Sequence, residues 1–194
     1  MNILVDKLPT EYKGLKIDTN FRSFILFELL MQDNELSSEQ KITFTLNLFF
    51  HDKELKTVEE IDKAIKGILW FYTLGKSEEQ EIESKKIKKI EEKKQKAIYS
   101  YEYDANLIYS AFFSQYRLDL NEVDYLHWWK FKSLFEGLND DNRICEIMSY
   151  RAIDLSKIED KKQKEYYKKL KIKYALPDNR SVEEKEQEFA DALW

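Results

Sequence analysis

The chain has 194 residues, which is enough for one domain or for two small helical subdomains with a sizeable core. Its 43% hydrophobic and 14% aromatic residues exclude a wholly disordered chain, and its 4 Gly and 2 Pro disfavour the turn-rich β-sandwiches and barrels. The net charge of -5 gives no general attraction to nucleic acid or anionic lipid, so protein partners are favoured. The predicted fold is an all-α, multi-helix bundle.

The N-terminal part of the chain begins with an arm and a strongly apolar helix. Short apolar stretches flank Lys13 and Gly14, a pattern that allows at most a small hairpin. Asp18 and Thr19 offer an N-cap for a helix at residues 20–32. Apolar residues wrap most of the circumference of this helix, so we expect it to be buried or covered on two sides.

Two more helices are predicted from capping boxes, in which a Ser or Thr side chain and a Glu or Gln three residues later each bond the other's backbone. Ser37 with Gln40 opens one helix, and Thr57 with Glu60 opens the next. The latter helix carries apolar residues at helical spacing and ends at Gly75. Residues 1–75 are therefore predicted to form a three-helix N-terminal subdomain.

The composition changes abruptly after this subdomain. Of the 21 residues at 76–96, 14 are charged, and the isoleucines among them lack the spacing of a packed stripe. We predict that residues 76–98 are a charged linker, either a solvated helix or a mobile segment. Its basic half, residues 85–96, has no aromatic side chain, which makes a spacer a better interpretation than a nucleic-acid site.

Residues 99–194 are predicted to form a C-terminal helical subdomain. The expected helix starts are Asp104, Asn121, Asp140 or Asp141, Ser156 with Glu159, and Ser181 with Glu184. The helix that starts at Asn121 is expected to run to Glu136 and to end at Gly137. The helix after Ser156 is basic and stops before Pro177, and the last helix is acidic and amphipathic.

The double tryptophan at residues 128–129 is the most concentrated aromatic stretch of the chain. At about 100° per residue, His127, Trp128 and Phe131 share one helix face, and Trp129 lies about 160° from Phe131 with Leu126 and Tyr125 nearby. The first group is predicted to face the core. The second group either packs under another element of the same chain or forms a patch for a partner.

No pattern in the sequence indicates catalysis, a cofactor or a metal site. The chain has 2 His and 1 Cys with no paired ligand spacing, and it lacks a phosphate-binding glycine loop and a nucleophile elbow. We expect His127 and Cys145 to be core residues and the protein not to be an enzyme. Residues 1–6 lack the features of a signal peptide, and no apolar run approaches a membrane span, which predicts a cytoplasmic protein.

Five segments of the chain resemble the bacteriophage "gene product fifteen" family, which belongs to the tail modules of long-tailed phages and prophages of Gram-positive bacteria. They are IDTNFR at 17–22, LWFY at 69–72, YDA at 103–105 with IYSAF at 108–112, LHWWKF at 126–131, and IMSYR at 147–151. The resemblance covers about residues 15–177, and the double-tryptophan segment is its most specific part. Asn20 stands where the family tends to have Asp, and Arg117 and Ser149 stand where Gly is expected. The Arg117 departure argues against a tight left-handed turn after Tyr116.

The resemblance implies a tail assembly chaperone that acts in the host cytoplasm. Such a protein binds the long, partly hydrophobic tape measure protein, helps to recruit tail tube subunits, and is absent from the finished virion. We also predict a homo-oligomer, and the acidic net charge and the lack of a long apolar run predict no nucleic-acid or membrane partner. The candidate partner contacts lie in the double-tryptophan segment and on the terminal amphipathic helix: Tyr125, Leu126, Trp129, Phe189, Leu193 and Trp194.

Two alternatives remain open from the sequence. The first is a structural tail component, such as a completion or connector protein. The second is a small regulatory or nucleic-acid-binding protein that acts through the lysines of residues 85–96 and 157–173. The terminal helix is expected either to fold back on its own chain or to reach a neighbouring subunit.

Overall fold

The computed structural model describes residues 2–50, 55–76 and 97–177. The fold is all-α with a short N-terminal hairpin, as predicted. Within these ranges the strands are β1 (Glu11–Tyr12) and β2 (Leu15–Lys16), and the helices are α1 (Phe21–Gln32), α2 (Ser38–Phe49), α3 (Val58–Tyr72), α4 (Ala105–Tyr116), α5 (Trp128–Glu136), α6 (Arg143–Ala152) and α7 (Lys161–Lys173), with a short 3-10 helix at Leu155–Lys157 before α7. None of the helices within these ranges is long and apolar enough to cross a membrane.

The antiparallel hairpin of β1 and β2 turns at the positions that the sequence indicated. Lys13 and Gly14 both have positive φ (49° and 77°), a conformation that glycine adopts without steric cost. The hairpin lies on α3, where it leaves no room for a side chain at Gly67. A Cβ added at Gly67 would lie 2.5 Å from the Cδ1 atom of Ile17.

Both capping boxes form as predicted, since each depends only on residues close in sequence. Ser37 accepts from the N–H of Gln40, whose side chain bonds back to Ser37, and Thr57 and Glu60 repeat the arrangement. Gly75 follows the end of α3 with φ +78°, and its N–H donates to the carbonyl of Trp70 (2.8 Å).

Three other predicted caps are wrong by a few residues. Helix α1 is capped by Asn20, because the carboxylate of Asp18 instead accepts from the Asn20 N–H (2.9 Å) and the Ser23 hydroxyl (2.5 Å). Helix α6 begins after Asn142 rather than after Asp140 or Asp141. Helix α7 begins after Asp160, whose side chain accepts from Gln163, while Ser156 lies in the 3-10 helix.

The predicted helix from Asn121 to Glu136 is the largest error, because its first half is not helical. Helix α5 starts only at Trp128. The backbone N–H of Phe21 donates to the carbonyl of Leu126 (2.9 Å), and the N–H of Trp128 donates to the carbonyl of Thr19 (2.8 Å). Backbone groups that pair with a distant segment in this way are not available for helical hydrogen bonds.

One buried cluster includes side chains from both sides of residues 77–96. Phe24 of α1 stacks on Trp128 with ring centroids 5.2 Å apart, and Phe21 stacks on Phe131 at 4.9 Å. The division of the chain at 1–75 and 99–194 stays a prediction. Most of the predicted linker and the whole predicted terminal helix lie outside the described residues.

Candidate protein-contact surface

The double tryptophan closes the C-terminal end of α3. The indole Nε1 of Trp128 donates to the carbonyl of Tyr72 (3.2 Å), and that of Trp129 donates to the carbonyl of Phe71 (2.7 Å). These carbonyls belong to the last turn of a helix, where no intrahelical partner exists. Trp128 is 1% exposed and Trp129 is 6% exposed. Both tryptophans therefore belong to the core, and Trp129 adds nothing to an exposed patch in this conformation.

Trp129 and Gly75 fit against each other closely. A Cβ added at Gly75 would lie 2.9 Å from the Cη2 atom of Trp129. Gly75 also has φ +78°, in the region where other residues are strained. Glycine is therefore favoured at position 75 for two reasons: the positive φ of the turn after α3 and the close approach of the Trp129 indole.

His127 is a core histidine, as the helical phase predicted, and it caps α5. It is 3% exposed, and its Nδ1 atom accepts from the N–H of Trp129 (3.1 Å). Its Nε2 atom lies 2.9 Å from the carbonyl of Pro9, so the neutral ring must carry its proton on Nε2 to donate there. Burial lowers the pKa of His127, which favours this neutral form.

Tyr125 and Leu126 differ in exposure, because they precede α5 rather than form its first turn. Tyr125 is 52% exposed, while its hydroxyl is fixed by a 2.7 Å hydrogen bond with the hydroxyl of Thr19. Leu126 is half-buried and packs against the core. The same loop is held to α1 by Arg22, whose guanidinium donates to the carbonyls of Leu120 (2.7 Å) and Val123 (2.8 Å).

A buried ion pair joins α6 to the start of α4. The two terminal nitrogens of Arg151 donate to the two carboxylate oxygens of Asp104 at 2.6 and 3.0 Å, and the side chains are 9% and 4% exposed. Asp104 occupies the N-cap position of α4 but makes no side-chain cap bond, contrary to its predicted role. Arg151 also donates to the carbonyls of Ile98 (3.0 Å) and Tyr174 (2.6 Å).

These contacts link the five segments that carried the family resemblance. Residues 17–22 pair with residues 126–128, the tryptophans of 126–131 bind the end of 69–72, and Asp104 binds Arg151. The segments are therefore the framework of the fold. A surface that contacts other proteins has to be sought among residues outside this framework.

A second, partly buried polar group lies beside the core at α1. The hydroxyl of Tyr72 donates to the carboxylate of Glu28 (3.1 Å), and Tyr99, Tyr101 and Lys132 lie close by. Burial raises the pKa of Glu28 and raises that of Tyr99 to about 12. Burial also raises the pKa of Tyr101, and its hydroxyl has no hydrogen-bond partner in the described part of the chain. These phenols stay protonated at neutral pH, so they offer no activated nucleophile.

Four exposed apolar side chains lie on α1 and α2, which pack against each other: Leu26 (52% exposed), Met31 (38%), Ile42 (45%) and Phe44 (45%). We call these four residues the α1/α2 surface. At about 100° per residue, Met31 lies about 140° from Leu26 and Ile42 about 160° from Phe44, so each helix exposes its two residues on different sides. Helix α1 buries Phe21, Phe24 and Phe27, and Leu26 lies opposite Phe24 at about 200°. The expectation that α1 is buried or covered on two sides is thus wrong at Leu26, which is 52% exposed. The all-round apolar pattern of α1 is the sequence signal for the exposed Leu26, and the same pattern is typical of a buried helix.

Three predicted contact residues, the search for metal ligands and the single cysteine remain to be described. Phe189, Leu193 and Trp194 lie outside residues 2–50, 55–76 and 97–177. No group of three or more His, Cys, Asp or Glu in those ranges could hold a metal ion. Cys145 is half-buried, with its Sγ 3.9 Å from the carbonyl of Leu138, and burial raises the pKa of its thiol.

Comparison with known proteins identifies one relationship. The model of the family described as "Bacteriophage Gp15 protein" matches residues 4–176 of the chain. No curated protein and no solved structure matches it.

Proposed function

The chain belongs to the Bacteriophage Gp15 protein family, and from this membership we propose that it is a tail assembly chaperone that binds the tape measure protein. The proposed binding is reversible and ends before the tail is complete. The bound partner would stay soluble until tail tube subunits assemble around it. The proposal includes no catalytic step, cofactor or metal.

The observation that carries this proposal is the α1/α2 surface. Contiguous exposed apolar patches mark sites of protein contact, and the exposed side chains of these two packed helices are our candidates for such a patch. Within this set, Leu26 is the most exposed aliphatic side chain and Phe44 is the aromatic one, so these two are the anchors that we propose for a partner helix. A long, partly hydrophobic partner can lay its apolar face on them without any rearrangement of the buried framework.

The framework is suited to presenting such a surface. The ends of α1 and α3 are fixed by long-range bonds, including those from Arg22 to the loop at 117–127 and from Trp128 to Tyr72. A rigid surface loses little conformational entropy on binding, which favours affinity. The exposed ring of Tyr125 lies at the edge of this framework and stays a predicted partner contact.

Co-expression with the tape measure protein of the same phage tests the proposal. We expect the two proteins to co-purify and the tape measure protein to become more soluble. The double variant Leu26→Ser with Phe44→Ser should lose most of the binding, because it removes two apolar anchors. Val58→Ser is the matched control, because Val58 is 79% exposed and lies on α3. A tape measure protein that stays equally soluble and unbound with and without this chain overturns the proposal.

Mass spectrometry of purified phage particles separates a chaperone from a permanent tail component. We expect tail tube and tape measure peptides but none from this chain. Stoichiometric recovery of this chain in washed particles would instead support a completion or connector protein. Light scattering on the purified protein tests the proposed homo-oligomer, for which a mass of one chain is the contrary result.

A further inference from the structure

Helix α7 has an exposed basic face that takes part in none of the ion pairs of the described residues. None of its residues is buried. At about 100° per residue, Tyr167, Leu170 and Tyr174 lie on the side toward α6, where Tyr150 contacts the two tyrosine rings. The opposite side, which we call the lysine face, carries Lys161, Lys162, Lys168, Lys169, Lys173, Glu165 and Ile172.

The lysine face is both unpaired and partly apolar. Lys161, Lys168 and Lys169 make no ion pair among residues 2–50, 55–76 and 97–177, although the whole chain has a net charge of -5. Ile172 at its centre is 68% exposed, and Tyr166 at its edge is 57% exposed. Five like charges around an exposed isoleucine favour a ligand that supplies both carboxylates and apolar side chains.

We propose that the lysine face binds the acidic segment at residues 182–194 of the same molecule. That segment carries Glu183, Glu184, Glu186, Glu188 and Asp191 against one lysine, Lys185, and it places Phe189 and Leu193 among them. Its negative charge is complementary to the positive charge of the lysine face, and its apolar side chains match the exposed Ile172 of that face. Within the chain it is the acidic stretch that follows α7 most closely.

The length of the chain permits this contact within one molecule. Helix α7 has 13 residues, so its length is about 20 Å. The residues between Lys173 and Glu183 can span about 30 Å when extended, which is enough to return along the whole lysine face. A segment tethered at this distance has an effective concentration of about millimolar, so the contact within one molecule outcompetes one between molecules at micromolar protein.

A nucleic acid is the other occupant that this face suggests, and it fits less well. The face contains no arginine, Glu165 lies among its lysines, and the chain as a whole is acidic. A phosphate backbone would also leave Ile172 without an apolar partner.

Zero-length carbodiimide cross-linking of the full chain, read by mass spectrometry, tests the proposal. We expect amide cross-links from Lys161, Lys168 or Lys169 to Glu183, Glu184, Glu186 or Glu188. Raising the salt from about 0.1 M to about 1 M should reduce them, because the screening length falls from about 10 Å to about 3 Å. In an equal mixture of unlabelled and ¹⁵N-labelled chains, the two peptides of each cross-link should carry the same isotope, because both come from one molecule.

Charge reversal supplies the decisive variants. Lys168→Glu with Lys169→Glu should lower the cross-link yield from the remaining lysines at least about fourfold, since each exposed pair changes an equilibrium about twofold. Adding Glu183→Lys with Glu184→Lys should restore the yield. The matched control, Lys7→Glu with Lys16→Glu, makes the same charge change at exposed positions elsewhere and should leave it unchanged.

Three results overturn the proposal. The first is that no cross-link joins residues 182–194 to α7 in a chain whose circular dichroism and melting are normal. The second is that the cross-links are mainly of mixed isotope, which would place the segment on a neighbouring molecule. The third is salt-sensitive binding of a DNA oligonucleotide by the full chain that requires Lys168 and Lys169, which would assign the face to nucleic acid. None of these measurements involves the tape measure protein. Any of the three results would therefore overturn the proposal for the lysine face and leave the proposed function standing.

Discussion

The ion pair between Arg151 and Asp104 gives the sharpest stability prediction. Arg151→Met keeps much of the side-chain volume but removes a guanidinium that donates four hydrogen bonds, to the Asp104 carboxylate and to the carbonyls of Ile98 and Tyr174. The carboxylate of Asp104, which is 4% exposed, would keep the N–H of Ser100 as its described partner. The change therefore leaves an uncompensated charge in the core.

The expected cost is large for a single substitution. Removing one partner of a buried pair costs about 3 to 5 kcal/mol, because the other charge is left desolvated. For a chain of this size, that lowers the melting temperature by about 6 to 20 °C. Urea unfolding followed by circular dichroism measures the free energy, and hydrogen exchange should show lost protection in α6 and at the end of α7.

A matched control and a double variant separate the charge effect from other losses. Arg143→Met removes another arginine of α6, whose ion pair with Glu146 has side chains 50% and 39% exposed, and should change stability little. Combining Arg151→Met with Asp104→Asn should cost less than the sum of the single changes, because no charge is left unpaired. A cost below about 1 kcal/mol for Arg151→Met, or strict additivity in the double variant, would refute this reasoning.

Three further predictions concern single residues of the framework. Arg117→Gly should stabilise the protein by about 1 kcal/mol in urea unfolding, because Arg117 has φ 54° in the left-handed region, and a lower stability would contradict this. Gly75→Ala should destabilise it by about 2 kcal/mol and shift tryptophan emission, because it adds strain at φ +78° and a clash with Trp129; unchanged emission and stability would count against the contact. Burial raises the pKa of Glu28, so its stabilising contribution is present below the unfolded pKa and is lost as pH rises through the folded pKa. Glu28→Gln should therefore flatten the fall in stability above pH 4 to 5, whereas the same fall in the variant would exclude Glu28 as its source.

Local sequence patterns predicted the features that depend on local contacts. The capping boxes at Ser37 and Thr57 involve residues three apart, so their spacing was sufficient. The hairpin at Lys13 and Gly14 was predictable for the same reason. Arg117 is an instructive exception, because it keeps the left-handed turn that its side chain was expected to disfavour.

Features set by contacts between distant residues could not be predicted. The late start of α5 follows from pairing between residues 19–21 and 126–128, which are separated by more than half of the chain. The helical phase correctly separated Trp129 from Phe131, but it could not show that α3 covers the Trp129 side. In α1 the error was the opposite, because an apolar side at Leu26 has no full cover among the described residues.

The central claim is that the α1/α2 surface binds the tape measure protein, and hydrogen exchange on the purified complex tests it most directly. Peptides of α1 and α2 should exchange more slowly in the complex than in the free chain, and those of α5, which is already buried, should be unchanged. Protection confined to α4, α6 or α7, with α1 and α2 unaltered, would contradict it.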